Sequence, residues 1–311
     1  MHTTSQWTGN TSAAVSRREF LKTTAVGAGL AVSAPAWIQG ADPKPVAVKS
    51  HADLVSIGNT GVKVSFLAQG TGYNGSARMS DHTRMGKEAF DRLLRHDLDQ
   101  GITFIDTADL YGTHTYIRDT IRGLPRDKYA LLTKIWPRTE YWNMASGGAV
   151  QEVNRFRQEL RTDYLDVCLI HCMLNDKWVQ EYARIRDELS ELKQKKVVRA
   201  VGVSCHHFGA LKIAASDPWV DVIFARINHK GSVMDASVQE VAPVLKTARA
   251  NGKFVVGMKI FGAGQLTKPE DKDASLQYVL KNGLVDAMTI GMRKTEETDD
   301  TIARLNAALR A

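Results

Sequence analysis

Short apolar runs recur along the chain at intervals of roughly 30 residues, and a segment with helical spacing of its apolar positions follows most of them. Runs rich in β-branched residues predict buried strands, and strands that alternate with helices are typical of a parallel sheet. We predict eight strands: Val64–Ala68, Thr103–Asp106, Tyr129–Lys134, Tyr164–His171, Ala200–Ser204, Val220–Asn228, Phe254–Lys259 and Ala287–Gly291. The predicted helices include Lys87–Asp99, Val150–Thr162, Trp178–Lys195, Val238–Asn251 and Thr295–Ala308.

A β-hairpin is predicted at the start of this series. The segments Leu54–Ile57 and Val62–Ser65 flank a turn from Gly58 to Gly61. Eight βα units with a preceding hairpin indicate an α/β fold, a (β/α)8 TIM barrel whose N-terminal hairpin caps the bottom of the barrel. An open doubly wound sheet fits less well, because Gly70-Thr71-Gly72 is too short for a glycine-rich dinucleotide fingerprint.

Residues 1–36 have the three parts of a twin-arginine (Tat) export signal. A polar stretch leads to Arg17 and Arg18, a weakly apolar segment runs from Thr23 to Ala34, and small residues surround a cleavage site after Ala36. The apolar segment is shorter than the roughly 20 residues that span a membrane, which argues against an anchor. We therefore expect contact with the Tat translocon during export and a mature protein that is periplasmic or secreted, without a membrane span.

The chain is accordingly divided into a signal peptide (1–36), a linker (37–50) and one barrel domain (51–311). Hydrophobic and charged residues make up 43% and 24% of the 311 residues, as in ordinary globular proteins. The formal charge of +7 is spread over the chain. No basic run with interleaved aromatic residues indicates a nucleic-acid surface, so we expect no nucleic-acid partner.

Three cysteines are too few for a disulfide framework. Cys172 and Cys205 follow adjacent predicted strands, and whether they form a disulfide after export is left open. The cysteines and the histidines near them match no recognised zinc spacing, so we predict no metal site. We interpret His51 and His96 as surface residues.

The chemistry is expected at the ends of the predicted strands. Asp106, Lys134 and His171 end the second, third and fourth strands, and Tyr111 lies in the loop after the second. In a TIM barrel these positions converge on the catalytic face. Alone, the acid and the ammonium could form an ion pair that only holds the barrel together. A phenol beside them has a further use, because a nearby ammonium would lower the pKa of Tyr111 and suit it to donate a proton to a carbonyl oxygen. Neutral His171 could orient that carbonyl through a hydrogen bond.

Several motifs resemble those of the aldo-keto reductases. They are FIDTADLYG (Phe104–Gly112), LLTK (Leu131–Lys134), DYLDVCLIH (Asp163–His171) and VRAVGVSC (Val198–Cys205), and IGNTGVKVS (Ile57–Ser65) resembles the hairpin at the start of many members. The resemblance covers about Leu54–Ala308 and implies that Asp106, Tyr111, Lys134 and His171 form the catalytic tetrad of that family. It also implies a reversible, NADPH-dependent reduction of a small aldehyde or ketone to an alcohol.

The resemblance also implies a set of cofactor-binding positions. Ser204 and Cys205 lie where the family grips the nicotinamide carboxamide, with Cys205 in place of the usual Asn. Met258 replaces a common stacking aromatic residue, and Lys259 could meet a cofactor phosphate. The segment IGMRKTEETDDT (Ile290–Thr301) matches the part that holds the adenosine 2′-phosphate. The full set of expected cofactor contacts is Thr71, Ser204, Cys205, Asn228, Met258, Lys259, Arg293, Lys294 and Asp300. Because Glu297 stands where some members place an Arg, NADH is possible as well as NADPH.

Two alternatives to a reductase remain open. Lys134 could act as a Schiff-base nucleophile in a barrel lyase, a role that leaves Tyr111 unused. The chain could instead be a nicotinamide-binding barrel with little turnover, because it lacks the usual Asn and the stacking ring.

Overall fold

The structure, a computed structural model, describes residues 48–138 and 147–311, so the predicted signal peptide and most of the predicted linker lie outside the described residues. Eight parallel strands form a closed barrel, which confirms the predicted TIM barrel. The strands are β1 (Leu54–Ser56), β2 (Lys63–Ser65), β3 (Leu67–Gly70), β4 (Phe104–Asp106), β5 (Ala130–Ile135), β6 (Leu165–Met173), β7 (Val198–Cys205), β8 (Val222–Arg226), β9 (Phe254–Met258) and β10 (Ala287–Ile290). Strands β3 to β9 follow one another around the barrel, and β10 closes it by pairing with both β9 and β3.

The helices lie around the barrel. They are α1 (Asp81–Arg84), α2 (Lys87–Asp99), α3 (His114–Thr120), α4 (Ala149–Leu160), α5 (Trp178–Glu181), α6 (Ala183–Gln194), α7 (Phe208–Ala214), α8 (Val238–Ala250), α9 (Pro269–Lys281) and α10 (Thr295–Arg310). The predicted helix Trp178–Lys195 is two helices, because the chain breaks at Tyr182, whose backbone dihedrals are not helical.

The predicted hairpin is present as the antiparallel pair β1 and β2. Its apolar residues Ile57, Val62 and Val64 belong to the same buried cluster as the barrel interior, so the hairpin covers one end of the barrel. The first barrel strand was predicted at Val64–Ala68, which is wrong by several residues. Val64 pairs within the hairpin, and the barrel strand begins only at Leu67, because Ser65 turns the chain by donating its hydroxyl to the Leu67 carbonyl oxygen.

The period-2 alternation of the strands separates two apolar layers. In β5, Leu132 belongs to the barrel-interior cluster, whereas Leu131 and Ile135 belong to the layer between strands and helices. The same parity puts Lys134 on the inner side, two residues after Leu132. In β6, Val167 and Leu169 lie inside, which places His171 inside as well. The alternation therefore aims both polar side chains at the barrel axis, at the carboxyl ends of their strands.

The buried contacts of His51, just before the hairpin, were not predicted. His51 is only 8% exposed, its backbone N–H donates to Asn306 Oδ1 at 2.9 Å, and its Nε2 lies 2.8 Å from the Gln100 carbonyl oxygen. Our interpretation of His51 as a surface residue is therefore wrong, whereas His96 lies at the surface and pairs with Asp299. Within the described part of the chain, no helix is long and apolar enough to cross a membrane.

Candidate active site

A cavity of about 410 Å³ opens at the carboxyl ends of the barrel strands. All four residues of the predicted tetrad line it, namely Asp106, Tyr111, Lys134 and His171. The cavity continues along β9 and β10 to the start of α10, where Arg293 and Glu297 lie at its wall. One continuous space therefore joins the predicted chemical centre to the predicted phosphate-binding segment.

A buried ion pair forms the floor of the cavity. Lys134 is 2% exposed and donates to Asp106 Oδ1 and to the Thr107 carbonyl oxygen, the latter at 2.8 Å. The second carboxylate oxygen of Asp106 accepts a hydrogen bond of 2.8 Å from the hydroxyl of Thr289 on β10. Burial lowers the pKa of Lys134, and the charge of Asp106 opposes that shift. Asp106 thus fixes the orientation of the Lys134 side chain, and Thr289 in turn fixes the orientation of the Asp106 carboxylate.

Tyr111 lies beside this pair, at the end of a short 3₁₀ turn, Asp109–Tyr111. Its hydroxyl oxygen is 3.3 Å from Nε2 of His171, and the ammonium of Lys134 is 5.0 Å from the centre of its ring. The backbone of Gly72 approaches the ring so closely that a Cβ there would lie 2.3 Å from the Tyr111 Cζ atom. Only glycine fits at that point, and the phenol is held between this loop and His171.

The protonation states differ in part from the expectation. Burial, together with the charge of Asp106, raises the pKa of Tyr111 well above its ordinary value. Our prediction of a lowered pKa is wrong because desolvation of the buried phenol dominates. Burial and the nearby charge of Lys134 lower the pKa of His171 well below its ordinary value, so its imidazole is neutral. The site therefore holds a protonated phenol beside a neutral imidazole.

Four of the predicted cofactor residues line the cavity: Ser204, Met258, Lys259 and Arg293. The Ser204 hydroxyl oxygen accepts a hydrogen bond of 2.8 Å from the backbone N–H of Cys172. The Lys259 ammonium makes no hydrogen bond or ion pair with any described residue, and burial lowers its pKa. Arg293 stacks on Tyr73, with its guanidinium carbon 4.6 Å from the ring centre, and it pairs with Asp81 and Glu297.

The other five predicted cofactor residues do not line this cavity among the described residues: Thr71, Cys205, Asn228, Lys294 and Asp300. Thr71 and Asn228 are fully buried in hydrogen bonds within the protein, Thr71 with Asp106 and Thr113, and Asn228 with the loop around Ser232. Cys205 belongs to the outer apolar layer, because it follows the inward-facing Ser204 by one residue. Lys294 is exposed at the start of α10, and Asp300 pairs with Lys272 and Arg304.

The structure adds two groups that sequence reasoning missed. Thr289 is one, and inward parity with Ala287 on the last strand could have indicated it. The other is His206, which lines the cavity, accepts a hydrogen bond from Arg226 and lies 3.4 Å from the Cys172 sulfur. Burial and the charge of Arg226 lower the pKa of His206 to about 3.

All three cysteines are free thiols. Cys172 faces His206, whereas Cys205 points into the outer apolar layer, so their orientations do not suit a disulfide. Among residues 48–138 and 147–311, no group of three or more His, Cys, Asp or Glu side chains is arranged to hold a metal ion.

Comparisons with known proteins agree with this geometry. A profile of the Aldo/keto reductase family matches residues 70–310. The L-galactose dehydrogenase of Arabidopsis thaliana is 25% identical over 291 residues, which cover 81% of this chain and 87% of that protein. The methylglyoxal reductase YeaE of Escherichia coli strain K12 is 31% identical over 113 residues, 35% of this chain and 36% of that protein. A crystal structure of an aldo-keto reductase from Klebsiella pneumoniae in complex with NADPH superposes with a TM-score of 0.61 at 19% identity, over 85% of this chain and 90% of that one. The chain belongs to the aldo/keto reductase family.

Proposed function

We propose that the protein is an NADPH-dependent carbonyl reductase that converts a small aldehyde or ketone to an alcohol. The observation that carries this proposal is the contact of 3.3 Å between the Tyr111 hydroxyl and His171 Nε2, directly above the Lys134–Asp106 pair. A carbonyl oxygen placed between Tyr111 and His171 would contact one proton donor and one neutral imidazole. That arrangement stabilises negative charge as it develops on the oxygen.

Tyr111 is the proton donor in this proposal. Its raised pKa keeps the phenol protonated at neutral pH, which suits donation during reduction. The positive charge of Lys134 below the ring stabilises the tyrosinate that remains after transfer. Neutral His171 donates a hydrogen bond that orients the carbonyl.

The described residues fit a nicotinamide dinucleotide phosphate. The unpaired, half-buried Lys259 ammonium lines the cavity and suits a phosphate there. At the far end, α10 starts at Thr295 without a side-chain cap, so its first backbone N–H groups suit an anion, as does Arg293. Ser204 and Met258 line the same cavity as the tetrad and suit contact with the nicotinamide. When bound, the cofactor supplies the hydride to the carbonyl carbon.

The cofactor preference is part of the proposal. Support for NADPH comes from the Klebsiella pneumoniae structure in complex with NADPH and from Arg293 at the cavity wall, whose charge suits the phosphate that distinguishes NADPH from NADH. Glu297 accepts a hydrogen bond of 2.8 Å from the backbone N–H of Arg293 and pairs with its guanidinium, so its carboxylate would compete with a cofactor phosphate for Arg293. NADH remains the second candidate for that reason.

The contacts of Lys134 favour the reductase over a Schiff-base lyase. Its ammonium is engaged by Asp106 and by the Thr107 carbonyl oxygen, and it is 2% exposed. A lysine nucleophile must present a neutral amine to the substrate, and these partners hold the charged form below the Tyr111 ring.

The proposal is tested by binding and turnover with the purified protein. We expect NADPH to bind with submillimolar affinity and to be oxidised in the presence of some member of a carbonyl panel that includes methylglyoxal and aldoses. Tyr111→Phe should retain cofactor binding and lose turnover. Absence of NADPH and NADH binding, or a Tyr111→Phe variant as fast as the wild type, would refute the reductase. Binding without turnover on the whole panel would favour the nicotinamide-binding alternative.

We also propose that the protein is exported by the twin-arginine route to the periplasm or beyond. The support is the sequence of residues 1–36 alone, which lie outside the described residues. Replacement of Arg17 and Arg18 together by Lys should retain the full-length precursor in the cytoplasm. Unchanged export of the double variant, or an intact N-terminus on the exported protein, would contradict this proposal.

A further inference from the structure

The turn that carries Tyr111 is short and has a fixed shape. Asp109 begins the 3₁₀ turn, the Tyr111 backbone N–H donates to the Ala108 carbonyl oxygen at 3.0 Å, and Gly112 ends the turn at φ +69°. A Cβ on Gly112 would lie 2.0 Å from the Arg78 carbonyl oxygen, so the loop after β3 packs directly on this turn. Two loops therefore enclose the phenol, and each needs an anchor outside the cavity.

Asp109 provides the anchor of the first loop. It is 3% exposed, and its two carboxylate oxygens accept hydrogen bonds of 2.9 Å from Nη1 and Nη2 of Arg155 on α4. This is a bidentate pair, the geometry in which Arg and a carboxylate restrain each other's orientation most strongly. Asp109 lies two residues before Tyr111, so the pair fixes the turn at its start.

Arg78 provides the anchor of the second loop. Its Nε lies 3.2 Å from Asp109 Oδ1, and its Nη2 donates to Glu159 on α4. Arg155 also pairs with Glu152 and with Glu159 on its own helix. Arg78, Asp109, Glu152, Arg155 and Glu159 thus form one network, which we term the α4 network, and both loops around Tyr111 end in it.

The α4 network is also joined to the strand that carries Lys134. Glu159 Oε2 lies 2.7 Å from His114 Nδ1, and His114 Nε2 lies 2.8 Å from the Thr133 hydroxyl oxygen. Thr133 directly precedes Lys134 and faces the opposite side of β5. The network therefore contacts the supports of both the phenol and the ammonium without lining the cavity itself.

We propose that Asp109 and Arg155 are positioning residues for Tyr111: their bidentate pair sets the distance of the phenol from His171 and from the substrate oxygen. The inference rests on the proposed role of Tyr111 as proton donor. Neither residue touches the cavity, so each acts on the rate through Tyr111. Since a displacement of about 1 Å at a reacting group can cost roughly 100-fold in rate, loss of the pair should reduce turnover while cofactor affinity stays unchanged.

Two variants test the pair, and a third serves as the control. Asp109→Asn removes the charge and one acceptor oxygen. Arg155→Lys keeps the positive charge but removes the planar guanidinium whose two nitrogens donate to the two carboxylate oxygens. The control is Asp217→Asn, which weakens another partly buried Arg–carboxylate pair: Nη2 of Arg186 donates to both oxygens of Asp217, at 3.0 and 2.9 Å. Asp217 lies between α7 and β8, and neither residue of this pair lines the cavity. All three should be compared in melting temperature, NADPH affinity, kcat and KM.

A second readout does not depend on activity. Full-length protein labelled with 3-fluorotyrosine contains 8 labelled positions, and the ¹⁹F resonance of Tyr111 is identified by its absence in Tyr111→Phe. We expect this resonance to shift or broaden in Asp109→Asn and Arg155→Lys, kcat to fall about 10- to 100-fold, and Asp217→Asn to show neither change.

A Tyr111 resonance that stays in place in both variants overturns the proposal, and so does a loss of kcat no larger than that of Asp217→Asn. If the wild type reduces no carbonyl, the proposed function fails on its own. The fluorine resonance then still decides whether the pair positions Tyr111.

Discussion

The Lys134–Asp106 pair permits a quantitative separation of stability from catalysis. Lys134→Met leaves the Asp106 carboxylate buried with Thr289 as its remaining hydrogen-bond donor, and Asp106→Asn leaves the ammonium without a counterion. The double variant Asp106→Asn/Lys134→Met removes both charges and retains a side chain that can accept from Thr289. The three variants and the wild type form a complete double-mutant cycle.

The magnitudes follow from burial. Removal of one partner of a buried ion pair costs about 3–5 kcal/mol, because the other charge stays desolvated and uncompensated. Both side chains are below a tenth exposed, so each single substitution should cost that amount. Replacement of both charges is commonly near neutral, but the lost bond to the Thr107 carbonyl oxygen adds about 1–3 kcal/mol. The double variant should therefore be more stable than either single variant, with a coupling energy of at least about 3 kcal/mol.

Two assays are needed. Stability is measured by urea unfolding detected by fluorescence, and activity is measured as the steady-state reduction of the best carbonyl substrate. All three variants should lose about 100-fold or more in kcat, although the double variant recovers stability. A single substitution that costs less than about 1 kcal/mol would show that the pair is not desolvated as the structure has it. A double variant that recovers activity together with stability would show that the pair is structural only.

Three further predictions concern other parts of the molecule. Burial raises the pKa of Asp97 to about 7, so the folded protein keeps a proton there that the unfolded chain loses near pH 4, and stability falls as the pH rises from about 4 to about 7. Asp97→Asn, which keeps an acceptor for Thr298, should remove this slope and be more stable than the wild type at pH 8, by up to about 4 kcal/mol. Gly72→Ala should displace Tyr111 and lower kcat about 100-fold. Arg293→Met should weaken NADPH binding roughly tenfold, about 1.4 kcal/mol, and leave NADH binding unchanged.

Matched control variants exist for Asp97 and Arg293, and for Gly72 the choice of temperature separates activity from stability. For Asp97, thermal melts of Asp97→Asn between pH 4 and pH 8 are compared with those of Asp187→Asn, a substitution at an exposed position on α6. If the stability of Asp97→Asn falls with pH as steeply as that of the wild type, the raised pKa of Asp97 is contradicted. For Gly72, rates are measured well below the melting temperature of the variant, and full activity would show that Tyr111 tolerates the added methyl group. For Arg293, the control is Arg310→Met on the last turn of α10, the helix that follows Arg293, and equal losses of affinity for NADPH and NADH would exclude a role at the 2′-phosphate.

Much of the fold and the centre of the site could be predicted because both depend on strand periodicity. Inward-facing apolar positions in β5 and β6 fix the parity of Lys134 and His171, and parallel strands bring their carboxyl ends together. The same parity also shows that Cys205 points outward when Ser204 points inward. The resemblance to family motifs placed Cys205 at the cofactor, whereas the period-2 alternation places its side chain in the outer apolar layer.

The rest of the site depends on contacts that sequence spacing does not encode. Thr289 reaches Asp106 across 183 positions, because β10 closes the barrel near β4. Arg155 lies on a helix whose surface pattern gives no sign that its guanidinium meets Asp109. The pKa of Tyr111 depends first on the depth of burial and then on the nearby charge of Asp106, and a motif does not specify the depth of burial.

The central claim is that Tyr111 delivers the proton as a hydride reaches the carbonyl carbon. Single-turnover transfer from deuterium-labelled NADPH to a reducible carbonyl, with the product analysed by mass spectrometry, tests it directly in the wild type and in Tyr111→Phe. In the wild type we expect deuterium on the product carbon, and in the variant we expect unchanged cofactor affinity with transfer at least about 100-fold slower. Equal transfer rates in the two proteins, or a product without deuterium, would contradict it.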